Sequence, residues 1–267
     1  DVRIGGPDPQ VYDAVIRGVL DPVRPLLTLP EVTDESKWLG GWNAFYADKA
    51  KQYLPGFLAD VSHPIYVNRD VVSQSTLNSE RDLLDPAFKG KIVLQDPRGG
   101  AGLGFITTFL KVDGEDYLRQ LLAQQPVISG DNRQIAEWLV RATYPAAVGA
   151  RNYDLLVFQQ QGLGKNVLPA TDVKAEPLSI GSGGIQLINK APHPKATQVF
   201  VNWLLTAKIE AALTQAVQQD SRRLDVPPGA PDEVPDPKRM DTYVAHQTEE
   251  LLPLRNQALK MAADALK

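Results

Sequence analysis

The chain has 267 residues, which leaves room for one large domain or two domains of ordinary size. Its hydrophobic fraction of 43% and charged fraction of 22% are those of an ordinary globular protein. The formal net charge of −4 gives no support to a nucleic-acid surface, and no apolar run approaches the length of a membrane span. Cysteine is absent, which agrees with export to an oxidising compartment.

The first half of the sequence alternates short apolar strands with helical segments. A strand at residues 2–4 runs into a glycine turn, and a helix follows at residues 11–18. Prolines at positions 22, 25 and 30 exclude a continuous helix across residues 19–42. The remaining elements predicted for this half are strands at residues 64–68 and 91–95 and helices at residues 77–84, 102–110, 115–124 and 131–141, the last capped by Asp131.

The second half continues the same alternation. Strands are predicted at residues 146–149, 167–168 and 185–188, with a helix at residues 154–161. The helix after residue 188 places five apolar residues on one side, namely Ala196, Val199, Phe200, Trp203 and Leu204. A Pro- and Asp-rich loop at residues 226–237 precedes a final helix at residues 241–267. Strands alternating with helices predict an α/β fold with largely parallel sheets.

Several segments, taken in order, resemble one protein family. They are Asp-Pro-Ala-Phe-Lys-Gly-Lys-Ile-Val at residues 85–93, Asn-Lys-Ala-Pro-His-Pro-Lys-Ala at residues 189–196, Phe-Val-Asn-Trp-Leu-Leu-Thr at residues 200–206, and Ser-Arg-Arg-Leu-Asp-Val at residues 221–226. Together they are similar to segments of bacterial extracellular solute-binding proteins, the ligand-catching subunits of ABC importers. The resemblance is to the branch that includes ferric-iron binders, and it extends over most of the chain.

The resemblance implies a two-lobed α/β fold of the type II periplasmic binding protein class, with mixed, mainly parallel sheets flanked by helices. Lobe one would comprise residues 1–66 and 185–225, and lobe two residues 67–184, with a solute cleft between them. Residues 226–267 would form a loop and a helix that pack back on the lobes. In the family, a strand like that at residues 2–4 follows an opening βαβα unit, so we expect lobe one to be incomplete in this chain.

The first candidate site is the glycine-rich loop at residues 96–104. Its glycines allow a tight turn, and the helix that follows presents unpaired N–H groups and the positive end of its dipole, a combination that binds oxyanions. The family resemblance places an anion-binding turn here, where iron binders often have a serine at the position of Gly99. A plain turn that starts a helix is the alternative. The candidate ligand-binding residues of this loop are Arg98, Gly99, Gly100, Ala101 and Gly102.

The second candidate site follows the strand at residues 146–149. Ferric-binding relatives carry Asn-Tyr-Tyr here, because phenolates are hard ligands suited to Fe(III). This chain has Asn152 and Tyr153, but Asp154 replaces the second tyrosine. The position where iron binders tend to have an anion-binding arginine is occupied by Val61. We therefore expect a small organic or oxyanionic solute, contacted by Arg151 and Tyr153. The alternatives are that Arg151 is a solvated charge and that Tyr153 packs in the core of lobe two. Tyr153 and Asp154 would be metal ligands only if the cargo is iron.

Two further residues are candidates. Asp8, in the turn after the first strand, would either pair with a ligand amine or cap the next helix. Ser182, in the Gly-Ser-Gly-Gly segment at residues 181–184, would donate a hydrogen bond to the ligand unless this segment is simply a flexible hinge. Of the four tryptophans, Trp38 or Trp42 could form a wall of the cleft. Trp138 and Trp203 are predicted in the core.

The leading functional hypothesis is a periplasmic solute-binding protein that captures its ligand, closes at a hinge and delivers the ligand to an ABC importer. The partners would be the small-molecule ligand, the permease and its ATPase, with no nucleic acid, no membrane insertion, no cofactor and a monomeric state. Alternatives are a ferric-iron-binding protein of an ABC importer and a sensory protein that signals to a membrane receptor. Catalysis is not predicted, because no nucleophile–base ordering or metal-ligand cluster is present. The chain opens on a strand and a glycine turn, so we expect the signal peptide to lie outside this sequence.

Overall fold

The computed structural model describes residues 1–7 and 9–266 of the chain. Its strands are β1 (Val2–Ile4), β2 (Leu20–Asp21), β3 (Asp60–Val61), β4 (Ile65–Asn68), β5 (Ile92–Gln95), β6 (Val127–Ser129), β7 (Ala146–Val148), β8 (Val167–Pro169), β9 (Leu178–Ser179) and β10 (Ile185–Ile188). Its α-helices are α1 (Pro9–Ile16), α2 (Pro30–Thr33), α3 (Gly100–Val112), α4 (Glu115–Ala123), α5 (Asn132–Val140), α6 (Asn152–Gln159), α7 (Pro194–Leu204), α8 (Ala207–Val217) and α9 (Leu252–Ala265). Within the described residues, no helix combines the length and the apolar character needed to cross a membrane.

Contacts within the chain divide it into two compact units. Unit 1 comprises Asp1–Val61, Leu178–Met240 and Gln247–Leu252, and unit 2 comprises Ser62–Pro177, Asp241–His246 and Pro253–Lys267. The assignment of residues to lobes stays a prediction.

Unit 2 is built on a five-stranded sheet with the order β6-β5-β7-β4-β8. All four residues of β5 are buried, because α3 and α5 both pack against this interior strand. Residues 102–110 of α3 are also buried throughout, as expected of a helix that is apolar on every side. The hydroxyls within this buried stretch are satisfied locally, since Thr107 and Thr108 donate to the carbonyls of Leu103 and Gly104 at 2.6 and 2.9 Å. The unit 2 core therefore holds the start of α3 firmly against the sheet.

The prediction of mixed α/β structure is confirmed, but the prediction of mainly parallel sheets is wrong. Within the described residues, only the pairings of β5 with β6 and with β7 are parallel, and all other strand pairings are antiparallel. A helix was predicted at residues 77–84, between β4 and β5, but the chain forms only a 3-10 turn there, Arg81–Leu84. Without a crossover helix, that connection does not impose a parallel direction, and β4 runs antiparallel between β7 and β8.

Unit 1 contains a three-stranded antiparallel sheet, β1-β10-β2, and a two-stranded pair, β3-β9. Its main core cluster gathers side chains from the sheet, the loops and α7, including Trp38, Trp42, Phe57, Ile185 and Val201. Both tryptophans are 2% exposed, and their indole N–H groups donate to the carbonyl of Val32. Trp38 and Trp42 are therefore core residues of unit 1, and the prediction that one of them is a cleft wall is wrong.

The Ser-Arg-Arg-Leu-Asp-Val segment has a structural role in unit 1. Arg222 is 1% exposed and donates to the main-chain carbonyls of Gly56, Leu39 and Gly41 at 2.8 to 2.9 Å. Burial lowers the pKa of its guanidinium well below the usual value, because the charged form loses hydration. This arginine donates to two buried loop carbonyls, those of Leu39 and Gly56, and to the partly buried carbonyl of Gly41.

The next residue of the same segment is held just as firmly. Arg223 makes a two-point ion pair with Asp225, with both N–O distances at 2.9 Å, and also donates to the carbonyl of Leu205 at 3.0 Å. Its guanidinium lies 5.3 Å from the ring centre of Trp38, a distance suited to a cation–π contact. The motif that supports the family resemblance is thus a structural brace.

Two predictions for the second half of the chain are wrong. The final helix was expected from residue 241, but α9 starts at Leu252, with Pro253 in its first turn, where proline favours initiation. On α7, Val199, Phe200 and Trp203 are 70%, 37% and 49% exposed, so Trp203 is not a core residue. The buried residues of α7 are Thr197, Val201, Asn202 and Leu204. Helix α8 and the short strands β3, β6 and β9 were not predicted from the sequence.

Candidate functional site

The carboxyl ends of three neighbouring parallel strands meet at one edge of the unit 2 sheet. Gln95 of β5 is in register with Ser129 of β6, and Leu94 of β5 is in register with Val148 of β7. Each strand is followed within a few residues by a helix, so α3, α5 and α6 begin at the same edge. This is the position at which open α/β sheets bind their ligands.

The turn between β5 and α3 is stabilised by an ion pair between two of its own residues, Asp96 and Arg98. Asp96 accepts hydrogen bonds from the backbone N–H of Arg98 at 3.0 Å and from the Arg98 side chain at 2.8 and 2.7 Å. The bonds from the Arg98 side chain lower the pKa of the Asp96 carboxyl and raise that of Arg98. The charge of Arg98 is therefore already engaged within the turn.

The glycines of this turn have two different roles. Gly102 is buried, and a Cβ on it would lie 2.2 Å from the carbonyl oxygen of Asp96, so no larger residue fits there. Gly99 and Gly100 are exposed, and a Cβ on either would meet nothing within 4 Å. Gly100 has φ of +55°, which explains why glycine is favoured there.

The start of α3 is open to solvent and carries no side-chain cap. Gly99 occupies the N-cap position, and its carbonyl accepts the first helical hydrogen bond, from the N–H of Leu103 at 3.2 Å. The N–H groups of Gly100, Ala101 and Gly102 precede that bond and have no partner within the helix. An uncapped helix start of this kind attracts anions through both its N–H groups and its dipole.

The start of α6 is also uncapped by a side chain. Arg151 is the N-cap residue, and its carbonyl accepts the N–H groups of Asp154 and Leu155 at 3.1 and 3.2 Å. The Arg151 Nε donates to Asp154 Oδ2 at 2.8 Å, forming an i,i+3 ion pair in the first turn of the helix. Tyr153 is half exposed, and Asn152 is partly exposed. The structure thus brings the start of α6 to the sheet edge where α3 begins.

Helix α5, which follows β6 at the same edge, was predicted, but not as part of the site. Asp131 caps α5 by accepting the N–H of Gln134 at 3.0 Å, which confirms the predicted cap. The first residue of this helix, Asn132, accepts a hydrogen bond from Gln95 Nε2 at 2.6 Å. Sequence reasoning missed Gln95 and Asn132 because β6 is only three residues long; a polar residue ending an apolar strand was the available signal.

The remaining candidates, Asp8 and Ser182, fall in the residue ranges of unit 1. The hydroxyl of Ser182 donates to Gln219 Oε1 at 2.9 Å, within the turn that precedes β10. Asp8 lies outside the described residues. Among the residues that the structure does describe, no group of three or more His, Cys, Asp or Glu side chains is placed to hold a metal ion.

Solved structures with the same fold are periplasmic solute-binding proteins. The chain is similar to apo FutA2 from Synechocystis PCC6803, with a TM-score of 0.70, 16% identity and coverage of 99% of this chain and 84% of the other. It is similar to the apo ferric ion-binding protein A of Pasteurella haemolytica, with a TM-score of 0.73, 14% identity and coverage of 100% and 82%. For iron-bound HitA from Pseudomonas aeruginosa the TM-score is 0.68, with 16% identity and coverage of 99% and 82%. These likenesses define a type II periplasmic binding protein fold.

Comparison of the sequence with protein families identifies the family within this fold class. The profile of bacterial extracellular solute-binding proteins matches residues 13–211, so the chain belongs to that family. No curated protein matches the chain by sequence. Membership makes the chain a solute-binding protein of the ABC importer type, with a small molecule and a permease as partners, and confirms the resemblance read from the sequence.

Proposed function

We propose that this protein binds a small organic or oxyanionic solute at the unit 2 sheet edge and delivers it to an ABC permease and its ATPase in the periplasm. The observation that supports the proposal best is the pair of uncapped helix starts, α3 and α6, which follow the neighbouring parallel strands β5 and β7. Both present free N–H groups toward the same edge, so their dipoles favour a negative group there.

The proposed ligand contacts are made by groups that, among the described residues, have no hydrogen-bond partner within the turn or the helix starts. The exposed backbone of Gly99, Gly100 and Ala101 is free to meet a ligand, whereas Arg98 is paired with Asp96 and would act by fixing the turn. On α6, Asn152 and the half-exposed ring of Tyr153 would complete the site. Gly102 would contribute its backbone N–H, which precedes the first hydrogen bond of α3.

Ferric iron is the alternative cargo, since ferric-binding proteins are among the solved structures with this fold. The ion pair between Arg151 and Asp154 opposes it, because the carboxylate that would replace the second tyrosine is held at 2.8 Å by a cation of its own helix. Iron bound through Tyr153 would produce a visible tyrosinate-to-iron charge-transfer band, and we expect none on addition of ferric citrate.

The proposal is tested by thermal unfolding of the chain with phosphate, phosphonates, dicarboxylates, aromatic acids, polyamines, thiamine and ferric citrate. A solute at 100 times its Kd stabilises the folded state by about 2.7 kcal/mol, which shifts Tm by several degrees. We expect a shift with an anionic solute. A panel without any shift, or a shift with ferric citrate alone, would contradict the proposal.

A variant pair locates the site. Ala101→Pro removes one free N–H at the second residue of α3, a first-turn position where proline costs a helix little. Asp116→Pro, at the second residue of α4 in the same unit, is the matched control. Affinity for the solute should fall in the first variant and stay unchanged in the second. Equal affinities in both would place the ligand elsewhere.

A further inference from the structure

The Gln95 side chain lies at the floor of the sheet edge. It is the last residue of β5 and is only 8% exposed. Its Nε2 donates to Asn132 Oδ1 at 2.6 Å, whereas its Oε1 is buried and has no hydrogen-bond partner in the described part of the chain. Buried acceptors are normally satisfied in folded proteins, so this one calls for a donor that the protein itself does not supply.

Gln95 also spans the two neighbouring strand ends. The amide nitrogen reaches Asn132, the first residue of α5 after β6, while the amide oxygen lies beside Gly149, directly after β7. A Cβ on Gly149 would be 2.9 Å from that oxygen, and Gly149 has φ of +87°, so glycine is required for the approach. Since α6 starts close by, the positive end of its dipole favours an oxygen over an N–H group here.

We infer that Gln95 selects for an oxyanion that carries its own hydrogen-bond donor, because it places one vacant acceptor among the N–H donors of the helix starts. This inference rests on the proposed function and names the class of solute for that site. The uncapped N–H groups bind the anionic oxygens, and Gln95 Oε1 accepts a hydrogen from the same ligand.

Tetrahedral oxyanions fall into two groups, those that carry a hydrogen for the Gln95 acceptor and those that do not. Hydrogen phosphate and the singly protonated phosphonates keep a P–OH hydrogen at neutral to mildly acidic pH, whereas sulfate and sulfonates have none. A binding site with only hydrogen-bond donors would discriminate between these ions only by their charge and size. A site with a buried acceptor rejects the ion without a hydrogen, since the acceptor then faces a second oxygen and stays unpaired.

The test is isothermal titration of the full chain with two matched pairs of ions. Phosphate is compared with sulfate, and methylphosphonate with methanesulfonate, so that the second pair tells an organophosphorus solute from inorganic phosphate. We expect the phosphorus ion of at least one pair to bind about tenfold more tightly or better than its sulfur partner. In Gln95→Met, which keeps the length of the side chain but removes its acceptor, that preference should fall to about one.

Gln124→Met is the matched control variant. Gln124 is 7% exposed in the same unit and donates to the carbonyls of Leu83 and Asp85, so its loss tests the effect of removing a buried amide elsewhere. It should keep the preference of the wild type. The ratio of two affinities is the readout because a general loss of stability lowers both affinities together.

The outcomes separate the inference from the function on which it rests. Equal binding of the phosphorus and sulfur ions within both pairs by the wild type overturns the role of Gln95 but leaves oxyanion binding in place. A shift with another solute of the panel and no binding of either phosphorus ion also overturns the inference while the function stands. No binding of any solute overturns both. The comparison of phosphorus and sulfur ions with the wild-type protein tests the inference even if Gln95→Met does not fold.

Discussion

Glu210 of α8 makes the stability of unit 1 depend on pH in a predictable direction. Its side chain is fully buried, and burial raises the pKa of its carboxyl from 4.5 to about 8, even though Ser221 and the charge of Arg223 act in the opposite direction. At neutral pH the folded protein therefore carries Glu210 mainly in its protonated, uncharged form.

The direction of the pH effect follows from proton binding. Between pH 4.5 and about 8 the folded state holds a proton that the unfolded state has released, so this group's contribution to stability is complete below pH 4.5 and is lost as pH rises through about 8. At about 1.36 kcal/mol for each pH unit, the interval between 4.5 and about 8 corresponds to a loss of about 5 kcal/mol.

Glu210→Gln keeps the shape of the protonated carboxyl but cannot ionise. We expect its free energy of unfolding to be close to that of the wild type at pH 5 and about 3 to 5 kcal/mol higher at pH 9. Urea denaturation across this range measures the difference. Glu137→Gln, at an exposed residue paired with Arg141, is the control and should show no such divergence. A Glu210→Gln protein that is less stable than the wild type at pH 9 would refute the reasoning, because it would mean that Glu210 is ionised and stabilised by Arg223.

Three further predictions concern packing. Gly102→Ala should cost about 3 kcal/mol or more, because its Cβ meets the Asp96 carbonyl, whereas Gly99→Ala should change the unfolding free energy by no more than about 0.5 kcal/mol; comparable urea midpoints would contradict this. Arg222→Ala leaves the buried carbonyls of Leu39 and Gly56 without their donor and should cost about 3–5 kcal/mol in chemical denaturation, an expectation that a small loss would overturn. Val201→Ala should lower Tm more than Trp203→Ser, because Val201 is fully buried and Trp203 is half exposed; the reverse order would mean that Trp203 is covered in solution.

The candidate site could be predicted where local sequence alone decides the structure. The turn before α3 follows from a run of glycines after an apolar strand, and the cap of α5 follows from Asp131, so both were within reach of sequence patterns. The pairing of Gln95 with Asn132 was not, because the two residues are 37 positions apart and meet only through the register of β5 with β6. A three-residue strand has too little periodicity to be predicted, let alone aligned with a partner.

The α7 error has a different cause. Helical spacing correctly groups Val199, Phe200 and Trp203, and their tilted aromatic pair has a centroid separation of 5.8 Å. Spacing does not reveal which side of the helix faces the core, and here the buried side also carries Asn202. That side chain accepts the N–H groups of Thr28 and Leu29 at 2.7 and 3.0 Å and donates to the carbonyl of Leu26 at 2.8 Å. A polar residue that satisfies a loop backbone therefore determines the buried face, which an apolar pattern cannot detect.

Residues that identify the family and residues that would choose the solute lie in different parts of the chain. The Ser-Arg-Arg-Leu-Asp-Val brace satisfies buried carbonyls of unit 1, so its sequence is tied to the fold and says nothing about cargo. Gly99 and Asp154, by contrast, belong to the proposed site at the unit 2 sheet edge. A change at Gly99 meets no neighbouring atom, so the fold does not restrict this position. Solute choice can therefore diverge there while the brace, and the family likeness with it, stays unchanged.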